Sequence, residues 1–318
     1  ASFDVQSHGY KPVGGFFPEN SIGWYRKKFN VAAADSGNRF NIGFDGIFRN
    51  ANIWINGFFV GNNQSGYVGA SYDITDYIRF DRENVLVVRV DATQYEGWFY
   101  EGAGIYRHVW LQQYNNISVP DGGLFVYASV KDSRAVVGIE TTVQNKNPET
   151  AKCSVSTYIT NREGKIIARS KAVPLSLQAN GKTTIKHLLT VTDPRLWDLD
   201  DPYLYRVVSE VRSGNAVVDF RRERFGIRTI RFDASEGFFL NGKYLKIKGT
   251  NNHQDHAGLG SALPDYMQYY RIRLLKNMGS NAYRTSHHAP TPELLEACDS
   301  LGMLVMDEQR LLNSSPEY

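Results

Sequence analysis

Several things are scarce in this sequence, and each scarcity closes off a class of protein. There are two cysteines among 318 residues, Cys153 and Cys298. They fall in stretches that read as different domains. Cys153 shares a strand face with Val155, and Cys298 sits among Leu294, Leu295 and Leu301, so both are expected as buried free thiols and not as a disulfide. No apolar run reaches the roughly 18 residues that cross a bilayer, so no membrane span is expected. No signal peptide precedes Ala1, which would hold equally for an exported protein whose signal had been removed. A soluble protein is expected, and its compartment stays open. Charge of one sign is also lacking: 36 lysines and arginines face 33 aspartates and glutamates, a net of +3. Nucleic-acid or membrane-surface binding needs a concentrated basic patch. The one short run, Arg221, Arg222 and Arg224, reads as a solvated strand.

What is present fits a globular chain of two or three domains: 42% hydrophobic, 22% charged and without low-complexity tracts. Aromatic residues reach 13%, with 19 tyrosines and 5 tryptophans. Aromatic faces stack on sugar rings and fill β-sandwich cores equally well, so this count alone decides nothing.

From Ile22 to about Tyr114 the pattern is short strands and turns, with no convincing helix. RFNIGF places Phe40, Ile42 and Phe44 on one face. Asn56-Gly57 between apolar arms is a two-residue hairpin signal, because both turn positions need positive φ. Residues 84–90, NVLVVRV, are apolar on both faces and should lie inside a sandwich, and 105–114 reads as another strand. An all-β jelly roll is expected. From about Val119 to Arg228 the strands continue at a different spacing, which suggests an immunoglobulin-like sandwich without the antibody disulfide.

Near Ile230 the grammar changes. A second Asn-Gly hairpin, at 241–242, leads into GTNNHQDH. Pro264 and Asp265 then open a helix with apolar positions at Met267, Tyr270, Leu274, Leu275 and Met278, stopped by Gly279. NAYRTSHH reads as a strand. Thr291 is an N-cap with Pro292 behind it, and that helix runs from there to Leu301 and stops at Gly302. MLVM is a third strand. The order β-α-β-α-β implies a parallel sheet with right-handed crossovers.

All three strands end in polar clusters: Asn251, Asn252, His253, Asp255 and His256; Arg284, Ser286, His287 and His288; Asp307 and Glu308. The carboxyl ends of parallel strands lie on one side, where ligands bind, so the clusters should meet. Three chemistries compete for them. A metal could use His253, His256, His287, His288, Asp255 and Glu308, but the spacing matches no zinc motif, and His287 and His288 point to opposite faces of a strand. A Ser-His-Asp triad through Ser286 lacks the Gly-x-Ser-x-Gly elbow. Polyol recognition needs neutral and charged hydrogen-bond partners converging on one ring, which is this composition. For Arg284 the competing reading is a buried barrel layer that only fixes strand ends.

The segment KGTNNHQDH…RIRLLKNMGSNAYRTSHHAPTPELLEACDSLGMLVMDE closely resembles the opening of the barrel in glycoside hydrolase family 2, which holds β-galactosidases, β-glucuronidases and β-mannosidases. Upstream, IGWYRKKF, GIYRHVWL and DPRLWDLDDPYLYRVV are similar to the family's sugar-binding and immunoglobulin-like domains, and EGWFYEGAGIYRHVWL looks most like the β-galactosidase branch. The resemblance implies three domains: a jelly-roll sandwich over 1–117 with its first strands absent, an immunoglobulin-like β-sandwich over 118–228, and the first βα units of a (β/α)8 TIM barrel over 229–318. It implies a carbohydrate substrate met by His253 and His287, with Arg284 ordering the pocket. Asn252, Asp255 and Glu308 complete the expected substrate-binding set. In relatives the loop corresponding to Glu96–Glu101 reaches the active site.

Two departures matter. His288-Ala289-Pro290 stands where the family has tyrosine or asparagine and then proline, which bears on substrate preference. After Asp307-Glu308 the chain reads QRLLNSS, without the acid and histidine that bind magnesium in some β-galactosidases, so no magnesium site of that kind is expected, and no metal or cofactor is assigned. The resemblance places the two catalytic glutamates on later strands, one of them in an Asn-Glu pair. The chain is therefore expected to be an excerpt, inactive alone and with a poorly ordered C-terminal third, and no catalytic residue is assigned within it. Relatives that are dimers or tetramers leave a homo-oligomer open for the complete protein.

Overall fold

A computed structural model describes residues 22–93, 103–257 and 259–308. Two successive β-sandwiches lead into three parallel strands with two crossover helices. The Glu96–Glu101 loop and QRLLNSS lie outside the described residues. Among those residues no helix is long and apolar enough to cross a membrane.

In the first sandwich one sheet runs Ile22–Asn30, Glu83–Asp91, Ala51–Ile55, Phe58–Asn63 in spatial order. The facing sheet runs Ala70–Asp73, Arg39–Phe44, Val109–Tyr114. Phe40, Ile42 and Phe44 pack across the gap against Ile53, Ile55, Val88 and Val90, as the alternation requires. Ile55 pairs with Phe58, so Asn56-Gly57 is a two-residue turn, with φ of 53° and 89°. The Asn56 amide group donates to the Tyr77 carbonyl and accepts from the Val85 N–H, tying the turn to the next strand. Two expectations are corrected here. In Glu83–Asp91 only Leu86, Val88 and Val90 face the core, while Val85 and Val87 lie half-buried on the outer face. The strand expected over 105–114 begins only at Val109, because Tyr106 to His108 leave the ladder and turn toward the C-terminal part of the chain.

The second sandwich has Arg134–Asn145 between Leu124–Lys131 and Lys182–Thr192, facing a sheet of Ala151–Thr160, Tyr205–Ser213 and Ala216–Phe225. Cys153 is buried as a free thiol beside Val155, Leu177 and Val211. A chain of buried hydroxyls, Thr141 to Ser209 to Thr157, ends on His187. Arg221 donates twice to the Val119 carbonyl within this sandwich, and Arg224 reaches out of it to pair with Glu296 at 3.2 Å.

The parallel unit consists of β1 (Gly249–Asn252), α1 (Asp265–Asn277), β2 (Ala282–Thr285), α2 (Pro292–Leu301) and β3 (Leu304–Met306). Both strand pairs are parallel and adjacent in chain order. The helix boundaries follow the sequence signals. Gly279 has φ of 91° just past α1, the Thr291 hydroxyl accepts from the Leu294 N–H, and Gly302 closes α2 at φ of 76°. The buried face of α1 differs from expectation. Met267 is inside, but Tyr270, Leu274 and Met278 are exposed, and the remaining buried positions are Gln268 and Ile272. Polarity misled the pattern here. Arg271 and Gln268 lie toward the interior, and Arg271 there bonds main-chain carbonyls. In α2 Leu294, Ala297 and Cys298 are buried, while Leu295 faces solvent.

The segment before the last sandwich strands seats this unit. Trp197 is 1% exposed, and its indole N–H donates to the Asp299 carbonyl at 2.8 Å. Lys276 donates to the carbonyls of Leu199 and Gly302, at 2.7 and 2.8 Å. A methyl group at Gly302 would meet the Leu199 carbonyl oxygen at 2.1 Å. The replacement Gly302→Ala is therefore expected to cost at least about 2 kcal/mol, since left-handed strain of about 1–2 kcal/mol adds to a backbone clash. Urea unfolding of the two forms measures it, and equal midpoints would refute the packing argument.

Candidate functional site

Residues two apart in a strand face the same way. The parallel register sets Asn251 beside Arg284 and Arg284 beside Met306. Two residues further along the first and third strands come His253 and Glu308. The alternation thus aims Asn251, Arg284, His253 and Glu308 to one side, at the carboxyl ends of the strands.

Glu308 is the centre of the group. One carboxylate oxygen receives His287 Nδ1 at 2.5 Å, and the other pairs with the Arg284 guanidinium at 2.6 Å. Arg284 also donates to the Asn251 side-chain oxygen at 3.2 Å. The Glu308 backbone N–H donates to the Thr285 hydroxyl at 2.9 Å, fixing the strand end from below. The His253 ring meets the His287 ring edge-on, with centroids 5.8 Å apart. The hydrogen bond from His287, helped by the charges of His287 and Arg284, holds the Glu308 carboxyl below the usual carboxylate range. An ionised Glu308 requires the proton on His287 Nδ1, so the bond also sets that ring's tautomer.

Four of the six expected site residues therefore come together: His253, Arg284, His287 and Glu308. Two do not. The Asn252 amide folds back on its own strand, donating to the Thr250 carbonyl and hydroxyl at 2.8 and 3.0 Å. It is one residue out of phase with the site face. Asp255 follows the turn beyond His253 and lies near Tyr283. Burial, with a small contribution from Asp255, pushes the Tyr283 hydroxyl up to about 12. His256 turns away, its Nδ1 donating to the Ala257 carbonyl. The Ser286 hydroxyl is buried and makes no hydrogen bond, which leaves it without the base a nucleophile needs.

Three contributors were missed. Counting back two from His253 would have chosen Asn251 over Asn252. Thr285 carries no signal beyond its place beside Arg284. Arg271 carries no signal within the pattern of α1, yet it donates to the carbonyls of His253 and Gln254, at 2.5 and 3.2 Å, and so holds the loop that presents His253.

The strand expected over NAYRTSHH ends at Thr285, so His287 and His288 stand in the turn beyond it, His287 on Glu308 and His288 away from it. His288 is 2% exposed and lines a cavity between the first sandwich and the two helices. Burial pushes its imidazole down to about 4, with the charges of Arg107, Arg271 and His253 acting in the same direction.

Three consecutive segments match one family. Residues 15–115 match the sugar-binding domain of glycosyl hydrolases family 2, residues 119–228 match glycosyl hydrolases family 2 itself, and residues 233–315 match its TIM barrel domain. A β-galactosidase of Bacteroides ovatus is 40% identical over 297 residues, 93% of this chain and 35% of the relative. A crystal structure of a glycosyl hydrolase family 2 member from Bacteroides cellulosilyticus superposes with a TM-score of 0.87 at 41% identity, over 91% of this chain and 40% of that one. A β-glucuronidase structure from Bacteroides uniformis gives 0.86 at 32% identity, over 94% and 38%. The chain thus spans between a third and two fifths of the length of these relatives.

The His288 environment sets a pH dependence. Above about pH 6.5 the imidazole is neutral in both folded and unfolded chains, and it adds no slope. As pH falls toward 4 the unfolded chain takes up the proton and the folded one does not, so stability drains. The loss is on the order of 3 kcal/mol across that window. Burial lowers the His187 imidazole too, so it acts in the same direction. The stability advantage of the native chain over His288→Gln should shrink between about pH 7.5 and about pH 4.5 in urea titrations. A difference that stays constant with pH would contradict the assignment.

Proposed function

We propose a sugar-cleaving role on one premise: the chain belongs to glycosyl hydrolases family 2. The protein that carries it is a retaining β-glycosidase, with terminal β-galactosides as its substrates. The observation that carries this reading is the Glu308 cluster, built at the carboxyl ends of parallel strands in a chain with the family's three domains in order. His253 and His287 face the sugar hydroxyls, and the Arg284–Glu308 pair holds His287 in one orientation and one tautomer.

Glu308 itself is a positioning residue here. A general acid in glycoside hydrolysis needs a raised carboxyl pKa, whereas His287 and Arg284 keep this one ionised. Retention requires two carboxyl groups about 5–5.5 Å apart. The resemblance assigns both to later strands of the barrel, in the portion of the relatives that this chain does not span.

A second reading, β-glucuronidase, is favoured by the similarity to the Bacteroides uniformis enzyme. It needs cationic groups for the uronic carboxylate, and Arg284 is already engaged by Glu308.

Assay of the complete gene product on nitrophenyl β-galactoside, β-glucuronide and β-mannoside separates these readings. Preference for the galactoside is expected, and preference for either of the others would replace it. In the same protein Glu308→Gln should lower kcat/KM by about a hundredfold, the scale of a misplaced binding group, with measurable turnover left. Activity abolished outright would instead make Glu308 a reacting group.

A further inference from the structure

We propose that His108, Asp265 and Glu293 bind a divalent metal ion of the zinc class at the seam between the first sandwich and the parallel unit. The site is separate from the Glu308 cluster and does not rest on the glycosidase reading. His108 comes from the turn that interrupts the expected strand at 105–114. Asp265 is the first residue of α1, and Glu293 lies in the first turn of α2. Three distant parts of the sequence thus bring one imidazole and two carboxylates together, with their ligand atoms all within 4.8 Å of one another.

The spacing suits an ion. Ligand atoms bound at about 2 Å from a shared zinc stand roughly 3–4 Å apart. His108 Nε2 is 2.9 Å from Asp265 Oδ1 and 3.8 Å from Glu293 Oε1. With the imidazole neutral, the two carboxylates carry a charge of −2 that a divalent cation neutralises. The imidazole selects against calcium and magnesium, which prefer all-oxygen sets, and favours a borderline ion such as Zn2+.

A second observation points to an occupant. The three groups line a cavity of about 350 Å³ that two buried, unpartnered polar atoms also line. Gln268 is 6% exposed and its side-chain oxygen has no hydrogen-bond donor, and Tyr283 is 1% exposed with its hydroxyl unbonded. Gln268 stands three residues after Asp265, on the same face of α1. Buried polar atoms cost stability unless they are bonded. Water molecules completing a metal's coordination would donate to Gln268 and bond Tyr283. Arg107 and Arg271, which also line the cavity, bond main-chain carbonyls: Arg107 that of Asp45 at 3.5 Å, and Arg271 those of His253 and Gln254.

Trp110 gives a local reporter, its ring edge-on to His108 at 5.2 Å between centroids. The full chain, stripped with EDTA, would be titrated with Zn2+ alone by calorimetry and tryptophan fluorescence. One equivalent should bind, with a fluorescence change and a higher unfolding temperature. His108→Ala and Glu293→Gln should each weaken binding by at least about tenfold. His256→Ala, a histidine outside the cluster, should leave it unchanged. Asp265→Asn, which keeps the side-chain shape, covers the case in which His108→Ala does not fold. No binding, unaltered affinity in the ligand variants, or displacement of zinc by equimolar Ca2+ would overturn the proposal.

Discussion

The seating of Trp197 against the start of the parallel unit is the contact on which the rest depends. A small unit of parallel strands and crossover helices does not choose its own orientation against the domain before it. Trp197 supplies that choice. Its indole lies in one cluster with Phe238 and Leu240, its N–H reaches the last turn of α2, and the Asn241 side chain of the second hairpin donates to its carbonyl. Leu199, two residues on, approaches Gly302 so closely that no side chain fits there. The linker, the hairpin and both helices are thereby locked to the second sandwich, with their N-terminal ends turned toward the first.

That orientation accounts for both polar groupings. On the strand side, Arg284 and His287 both hold the Glu308 carboxylate. That carboxylate is engaged through both oxygens and is not free to act as an acid. Such a group suits binding and orientation, because its members are fixed before a ligand arrives and lose little freedom on binding it. On the helix side, the first turns of α1 and α2 present two carboxylates to a histidine from the first sandwich. Carboxylates are favourable at helix N-termini, and an imidazole between them adds one bond across the seam.

Much of this was legible in the residues. Asn56-Gly57 and Asn241-Gly242 became two-residue turns because few residues other than glycine and asparagine tolerate positive φ at both positions. Thr291, Pro292 and Gly302 marked α2 to the residue. The meeting of the three strand ends followed from the parallel order alone. What failed, failed for stated physical reasons. The exposed stripe of Tyr270, Leu274 and Met278 on α1 looked like a core face because sequence patterns count polarity, and Arg271 and Gln268 were turned inward by main-chain bonds and a cavity that no pattern encodes. Asn252 was chosen over Asn251 by treating a cluster as a set when strand phase allows only alternate members. His108 could not be seen at all, since its neighbours, Asp265 and Glu293, lie more than a hundred and fifty residues away in sequence.

The two groupings are not mechanically independent. Arg271 lines the seam cavity and grips the carbonyls of His253 and Gln254. Gln254 is itself buried in the cavity wall, while His253, its neighbour in the chain, meets His287 on the site side. A single short loop therefore faces the seam with one residue and the strand-end cluster with the next. Both carbonyls of this loop are held by α1 through Arg271, so the place of His253 is tied to that of the helix. The first sandwich closes the other side of the same cavity with Tyr106, Arg107 and His108.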